Sequence, residues 1–310
     1  MNIKDDIIVL YIKTKNKVRK IVSYKSDDCE LRIYHQKIAD FISCNFFDSL
    51  FSKAYVKGRS ILNNANAHLY NDHFILMDVE NFFNSINHNV LMNHLFSELN
   101  KAQDNVITKQ ECRDIVSNCS VSKRGIPLGF ITSPVLSNIY MKEFDGVLYG
   151  KLKKLQLQNV IYTRYADDLC VSFKDCADAD RMYKSVISLV DDLLRRYYLR
   201  LNKKKTRTFN LLVSNHVKIT GINITRDGND YRRLTVGRKI KDDLFWNAIK
   251  CYDNSNRSLQ EIEQIKGMQA FILSIEKVGY EACYSTEMLR IVEKRGYTSL
   301  TQLINKLEPR

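Results

Sequence analysis

Two carboxylates side by side at the tip of an apolar hairpin limit what this chain can fold into more than any other feature. Residues 161–173 read Ile-Tyr-Thr-Arg-Tyr-Ala-Asp-Asp-Leu-Cys-Val-Ser-Phe, two short strand-like runs around Tyr165-Ala166-Asp167-Asp168. Adjacent acids at a strand-to-strand turn repel each other, and a fold gains nothing from them unless a cation neutralises them. Asp78 ends a second apolar run, residues 74–79, of the kind buried on both faces of a sheet. If the two segments are neighbouring strands, three carboxylates emerge at one sheet edge. Such a set can hold two Mg²⁺ ions about 3.5–4 Å apart and clamp the attacking and leaving oxygens of an in-line displacement. The plainer alternative, a strand-end aspartate and a polar turn, suits Asp78 alone better than it suits the pair.

Charge points the same way. The formal net charge is +13, and residues 200–310 carry 21 Lys and Arg against 12 Asp and Glu, so most of the excess lies in the C-terminal third. Concentrated positive charge favours a polyanionic partner such as nucleic acid. The eight cysteines form no CxxC pair and no zinc-type set, which suits reduced thiols in the cytoplasm. No signal-peptide layout is present, and no apolar run approaches the ~20 residues that span a bilayer, so no membrane partner is expected.

Periodicity places the elements. Strands are expected over 6–12 and 18–24 around the basic turn Lys13–Lys17, and a helix over about 31–50. Helical spacing recurs from Val90 to Leu99. Ser133-Pro134 is a helix start, with Leu136, Tyr140, Phe144, Leu148 and Leu152 following at every fourth position. A helix over about 178–199, strands over 208–213 and 216–224, and helical stretches at about 239–252, 258–277, 284–295 and 298–307 complete the pattern. The order suits an α+β fold, an antiparallel sheet with helices on one face followed by a basic helical bundle.

Tyr165-Ala166-Asp167-Asp168 resembles the YxDD box of reverse transcriptases, and Asp78 the first catalytic aspartate of their palm. Further stretches are similar in the expected order: Lys17-Val18-Arg19-Lys20-Ile21 to the fingers segment, Gly125–Pro134 to the motif between fingers and palm, and Leu201-Asn202-Lys203-Lys204-Lys205-Thr206 to the lysine-bearing motif after the catalytic hairpin. Asn64-Ala65-Asn66-Ala67-His68 fits the NAxxH signature of retron reverse transcriptases, and Ile219-Thr220-Gly221 sits where those enzymes carry Val-Thr-Gly. The chain thus looks like a bacterial retron reverse transcriptase.

The resemblance implies a right-hand polymerase, with fingers over 1–73 and again 100–130, palm over 74–99 and 131–230, and an RNA-binding thumb over 231–310. It implies Asp78, Asp167 and Asp168 as catalytic residues, which with Val79 would hold two Mg²⁺ ions. Arg19 and Lys17 would meet the triphosphate of the incoming dNTP, although a solvated basic hairpin reads equally from the residues alone. Phe83 would lie under the sugar and exclude a 2′-hydroxyl, unless Phe82 and Phe83 are both core. Gly129 and Phe130 would line the nucleotide pocket, while Leu128 replaces the Gln that many reverse transcriptases carry. Lys204 or Lys205 could protonate the leaving pyrophosphate, or the run from Arg195 to Arg207 could simply face phosphates. Contacts to RNA or DNA would come from Arg59, Asn64, His68, Lys203, Arg232, Arg233, Arg238 and Lys241. Asn64 and His68 also read as structural residues that cap a helix, and Tyr231, Trp246 and Tyr252 suit packing better than base stacking.

The function so implied is synthesis of msDNA on a cognate non-coding RNA, primed from the 2′-hydroxyl of an internal guanosine, in a bacterial cytoplasm and alongside an effector protein in anti-phage defence. Three rivals remain at this stage: another defence-associated or intron-type reverse transcriptase, a catalytically idle RNA-binding scaffold, and a two-metal nuclease.

Overall fold

A strand that is apolar on both faces must be covered on both, and the computed structural model, which describes residues 5–14, 17–101, 105–176, 178–277 and 279–309, does this with helices. The chain divides into two units, Met1–Asn210 and Leu211–Arg310. The first opens with a hairpin, Ile7–Thr14 (β1) and Lys17–Tyr24 (β2), followed by Glu30–Asn45 (α1), Ile61–Ala67 (α2) and His73–Asp78 (β3). Phe82–Ser85 (α3), His88–Leu99 (α4), Lys109–Asn118 (α5) and Ser133–Lys153 (α6) lead to Ile161–Tyr165 (β4) and Asp168–Phe173 (β5). Ala179–Arg196 (α7) and Arg207–Asn210 (β6) end the unit.

The sheet order is β4-β5-β3-β6, every pairing antiparallel. Ile75, Met77, Leu169, Val171 and Phe173 on one face pack with the α6 stripe Leu136, Tyr140, Phe144 and Leu148 and with Val186, Val190 and Leu194 of α7. The four-residue stripe of α6 is buried as its spacing predicts. The expected helix over 31–50 stops earlier, at Asn45. There the Asn45 side-chain amide donates to the Phe41 carbonyl at 2.8 Å, and Phe46 is already extended, which satisfies an end carbonyl and lets the chain leave the helix.

The other face carries α2. Its C-cap residue His68 is fully buried, hydrogen-bonded through Nδ1 to the Ser172 hydroxyl (2.6 Å) and through Nε2 to the Thr163 hydroxyl (2.7 Å). Burial pushes its pKa from 6.5 down to about 3. The unfolded chain therefore takes up a proton below pH 6.5 that the native imidazole refuses until about pH 3. Stability is complete above that window and falls as pH drops through it. Urea titrations at stepped pH are expected to show this slope, and His68→Asn is expected to flatten it; an identical slope in the variant would remove His68 as the cause.

The second unit pairs His216–Ile219 (β7), Ile222–Arg226 (β8) and Arg232–Thr235 (β9) in a separate sheet, with Arg238–Asp253 (α8), Leu259–Glu276 (α9), Thr286–Glu293 (α10) and Leu300–Asn305 (α11). The single strand expected over 216–224 is two strands joined by Thr220-Gly221. Both turn residues have positive φ (+44° and +95°), the signature of a tight hairpin turn. Among the described residues β7–β9 pair only with each other, and the division into two units falls after Asn210, whereas the resemblance starts the thumb at residue 231.

Candidate active site

The register of β3 and β5 sets Asp78 directly opposite Asp168, and Tyr165 pairs with Asp168 across the two-residue turn Ala166-Asp167. Ala166 takes φ +56°, a left-handed conformation that costs a residue with a β-carbon about 1–2 kcal/mol. The turn is stitched to β3 by the Val79 N–H, which donates to the Asp167 carbonyl at 2.9 Å. The pairing thus gathers three carboxylates at one sheet edge, Asp78 and the adjacent pair that begins 89 residues later at Asp167.

Like charges facing across an antiparallel pair are destabilising, and the local electrostatics show it. Desolvation, reinforced by the charges of Asp167 and Asp78, pushes the Asp168 pKa to about 6. Asp167 is raised as well, chiefly by burial, with Lys205 and Arg19 opposing. Asp78, nearly buried, is held by the loop after α7: Asn202 Nδ2 donates to its Oδ1 and Lys205 Nζ to its Oδ2, both at 2.8 Å. The hydrogen bond to Asp78 raises the Lys205 pKa. Among the described residues no three His, Cys, Asp or Glu side chains close on a common point in this arrangement, and both Asp78 oxygens accept hydrogen bonds from Asn202 and Lys205. The donor set still suits a divalent cation: three hard carboxylate oxygen donors whose mutual repulsion one ammonium only partly offsets.

A cavity of about 860 Å³ opens over this edge, lined among others by Arg19, Tyr55, Asp78, Phe83, Leu128, Asp167, Asn202 and Lys205. Asn81, at φ +48°, begins α3, after which Phe82 turns into the core and Phe83 stays half-buried at the cavity wall. Tyr55 and Asn202 are two of the lining residues that sequence reasoning missed. Asn202 lay within the quoted lysine motif, where its bond to Asp78 leaves no sequence signal; Tyr55, half-exposed with φ +61°, had none.

Several expected contacts are corrected. Phe130 is core, 2% exposed and stacked on Tyr24 at 5.3 Å. Gly129 is needed for a different close approach: at φ +110°, a β-carbon there would meet the Val22 carbonyl at 2.3 Å, where β2 docks through Val22 N–H to the Leu128 carbonyl (2.8 Å). The Arg59 guanidinium is spent on the Ser49 and Ser52 carbonyls (2.5 and 2.6 Å), and so braces its own loop. Asn64 and His68 are buried, out of reach of a nucleic acid. In the second unit, Lys241 is buried against Glu276 at 3.0 Å, and Arg232 is buried with Asp230 at 3.1 Å. Arg233 is exposed, and Arg238 is exposed but paired with Asp242 at 2.7 Å. Lys203 pairs with Asp191 at 3.5 Å, and Lys204 is exposed without a place at the carboxylates. The Lys17 side chain lies outside the described residues. Tyr252 packs edge-on against Tyr297, while Trp246 and Tyr231 are more than half exposed.

Comparison with known proteins identifies the family. The model of the family described as reverse transcriptase (RNA-dependent DNA polymerase) matches residues 8–224. The retron Ec86 reverse transcriptase of Escherichia coli is 26% identical over 264 residues, 83% of this chain and 74% of that protein. The retron Ec73 reverse transcriptase of the same species is 27% identical over 200 residues, 62% and 59% of the two chains. The retron Mx162 reverse transcriptase of Myxococcus xanthus is 27% identical over 237 residues, 70% of this chain but 47% of that protein. The chain therefore spans about three fifths of the Ec73 enzyme and about half of the Mx162 enzyme. Among solved structures, telomerase from Candida albicans, in complex with a fragment of telomeric RNA, aligns with TM-score 0.52 at 14% identity, covering 97% of this chain and 61% of that one. Telomerase from Candida tropicalis gives 0.51 at 14% identity, over 86% and 52%. At that identity the likeness shows the fold, the mixed helix and antiparallel sheet of a right-hand polymerase. Matched by the family model from its first hairpin to its second sheet, the chain belongs to the reverse transcriptase (RNA-dependent DNA polymerase) family.

Proposed function

We propose that this chain is the RNA-directed DNA polymerase of a retron. The observation that carries the reading is the pairing of Asp78 opposite Asp168, next to a cavity that Asp78, Asp167 and Arg19 line. Asp78, Asp167 and Asp168 would hold two Mg²⁺ ions, with Val79 next to them contributing backbone. Bound there, the ions would lower the charge on the α-phosphate and on the attacking and leaving oxygens. Arg19 binds the triphosphate tail. Lys205, already protonated at Nζ beside Asp78, is placed to give a proton to the departing pyrophosphate; Lys204, turned to solvent, is not. Asn202 keeps the Asp78 carboxylate oriented when Lys205 moves.

Phe83 sets sugar choice, its ring occupying the space a 2′-hydroxyl needs. Phe83→Val is expected to lower the preference for dNTP over rNTP by at least about tenfold, a difference of roughly 1.4 kcal/mol. Primer extension with each nucleotide pool checks this, and unchanged discrimination would sink the assignment.

The finer reading is that synthesis starts on a 2′-hydroxyl of a guanosine within a cognate non-coding RNA and yields branched msDNA, which with an effector protein serves anti-phage defence. The relatives named above are retron enzymes, and that supports it. The deciding experiment expresses the chain with its upstream RNA and looks for DNA that a debranching enzyme shortens. Template-dependent incorporation in vitro without branched DNA in cells would keep the polymerase and discard the retron. Removing divalent metal with EDTA is expected to stop incorporation, and Mg²⁺ to restore it.

A further inference from the structure

A second cavity, of about 890 Å³, adjoins the nucleotide cavity on the same unit, and the two share Glu80, Asn81, Asn84 and Arg124 as a common wall. The function proposed above makes no use of it. Its cations are Arg124, Arg195, Arg200 and Lys203, against the acids Glu80 and Asp191. Arg124 is fixed in the shared wall: Nε and Nη2 donate to the Ser85 carbonyl at 3.1 and 3.0 Å, and Nη2 also to the Tyr198 carbonyl at 3.0 Å. Arg195 and Lys203 divide the single carboxylate of Asp191, at 2.9 and 3.5 Å, leaving one uncompensated charge among the three. Arg200 has no carboxylate at ion-pair distance among the described residues. Its carbonyl accepts the Glu80 N–H at 2.8 Å, which ties its position to the strand end that carries Asp78. The loop between them presents a cation to each side, Lys203 to this cavity and Lys205 to the nucleotide cavity.

We infer that this second cavity receives condensed phosphate, namely the pyrophosphate released by nucleotidyl transfer as it leaves the nucleotide cavity. The inference rests on the polymerase reading for the identity of its ligand. Two features support it. The cavities lie side by side against a shared wall that itself bears an anchored guanidinium. The excess charge is mostly arginine, whose planar fork engages two phosphate oxygens at once and is weakly hydrated. A product that leaves through a preformed cationic annex has no need to pass back across the Arg19 face through which the nucleotide enters.

The test titrates the full chain with sodium pyrophosphate in a calorimeter, and in parallel with orthophosphate, dTTP and a ten-nucleotide oligo(dT). Wild type is expected to bind pyrophosphate more tightly than orthophosphate. Arg200→Ala should weaken pyrophosphate binding about tenfold and Arg200→Glu further, since one charge-assisted contact is worth roughly 1.4 kcal/mol or more. In RNA-templated incorporation, the pyrophosphate concentration that halves the rate should rise by a similar factor, more than the KM for dNTP shifts. Arg200 is exposed, so both variants should keep the wild-type melting curve. Unchanged pyrophosphate affinity and inhibition would overturn the inference. So would an equal loss for dTTP, which would return Arg200 to nucleotide binding, or a loss confined to oligo(dT), which would make the cavity a strand site. Should the wild type bind pyrophosphate and Arg200→Ala weaken it while no dNTP is ever incorporated, the polymerase reading fails and the anion site stands.

Discussion

Asp167→Asn is expected to reduce RNA-templated dNTP incorporation by at least about 10³-fold, roughly 4 kcal/mol of transition-state stabilisation, with Asp78→Asn doing the same. An amide keeps the size of the carboxylate and loses its charge, so the loss would isolate electrostatics from packing. Asp168→Asn adds a second, opposite readout. Its carboxyl is held at about pKa 6 by desolvation and by Asp167 and Asp78, above the 3.8 of an unperturbed carboxyl. At neutral pH the folded, metal-free chain therefore bears a charge that it resists and the unfolded chain does not. Removing that charge should raise the melting temperature of the metal-free protein while incorporation is lost, and Mg²⁺ should stabilise wild type more than the variant. The sign with pH follows. The penalty is absent below about pH 4, where both states are protonated, and complete above about pH 6. The stabilising effect of Asp168→Asn should vanish on acidification. Normal incorporation by Asp167→Asn and Asp78→Asn together would end the two-metal reading.

How much of this was legible in the sequence depended on whether a residue's neighbours lie along the chain or across it. The α6 stripe, the α7 face and the Ser133-Pro134 start are local patterns, and they appear where the spacing puts them. The convergence of Asp78 with the Tyr165–Asp168 turn could be framed as a condition, because strand ends that carry acids have few tolerable environments. The charged residues were harder. A lysine or arginine in a basic segment reads as a phosphate contact, yet Arg59 is consumed by backbone carbonyls, Arg232 by Asp230 two residues before it, and Lys241 by Glu276, 35 residues on. His68 looked like a recognition residue because its motif is conspicuous; its partners, Thr163 and Ser172, sit on strands about a hundred residues away. Phe130 followed a glycine in the nucleotide motif, but the hairpin that docks on Gly129 buries it.

Arg164 is the largest case of this kind, and it carries the largest expected loss of stability. It stands next to the Tyr165–Asp168 turn on β4 and is fully buried, as is Asp145 on α6. Nε donates to Asp145 Oδ1 and Nη2 to Oδ2, each at 2.9 Å, while Nη1 donates to Asn138 Oδ1 at 3.1 Å. The Tyr162 hydroxyl adds a bond to Asp145 Oδ1 at 2.8 Å, and Ser52 Oγ one to Asn138 Oδ1 at 3.0 Å. The Arg164 backbone also bonds both ways to the Phe51–Lys53 segment, so one residue joins β4, α6 and that loop. Asp145→Ala would strand a buried guanidinium, a loss of about 3–5 kcal/mol, or roughly 10 °C in melting temperature for a unit of this size. The pair itself is not worth that much, because two charges left water to form it. Replacing both partners, as Arg164→Met with Asp145→Leu, should therefore cost clearly less than the sum of the single changes. Denaturant melts of wild type, Arg164→Met, Asp145→Leu and the double change close the cycle, with Asp145→Ala measured beside them. If Asp145→Ala costs less than about 1 kcal/mol, or if the double change is merely additive, the pair does not hold β4 in place, and the Tyr165–Asp168 turn beside it must take its rigidity from the Val79–Asp167 bond and the strand pairing alone.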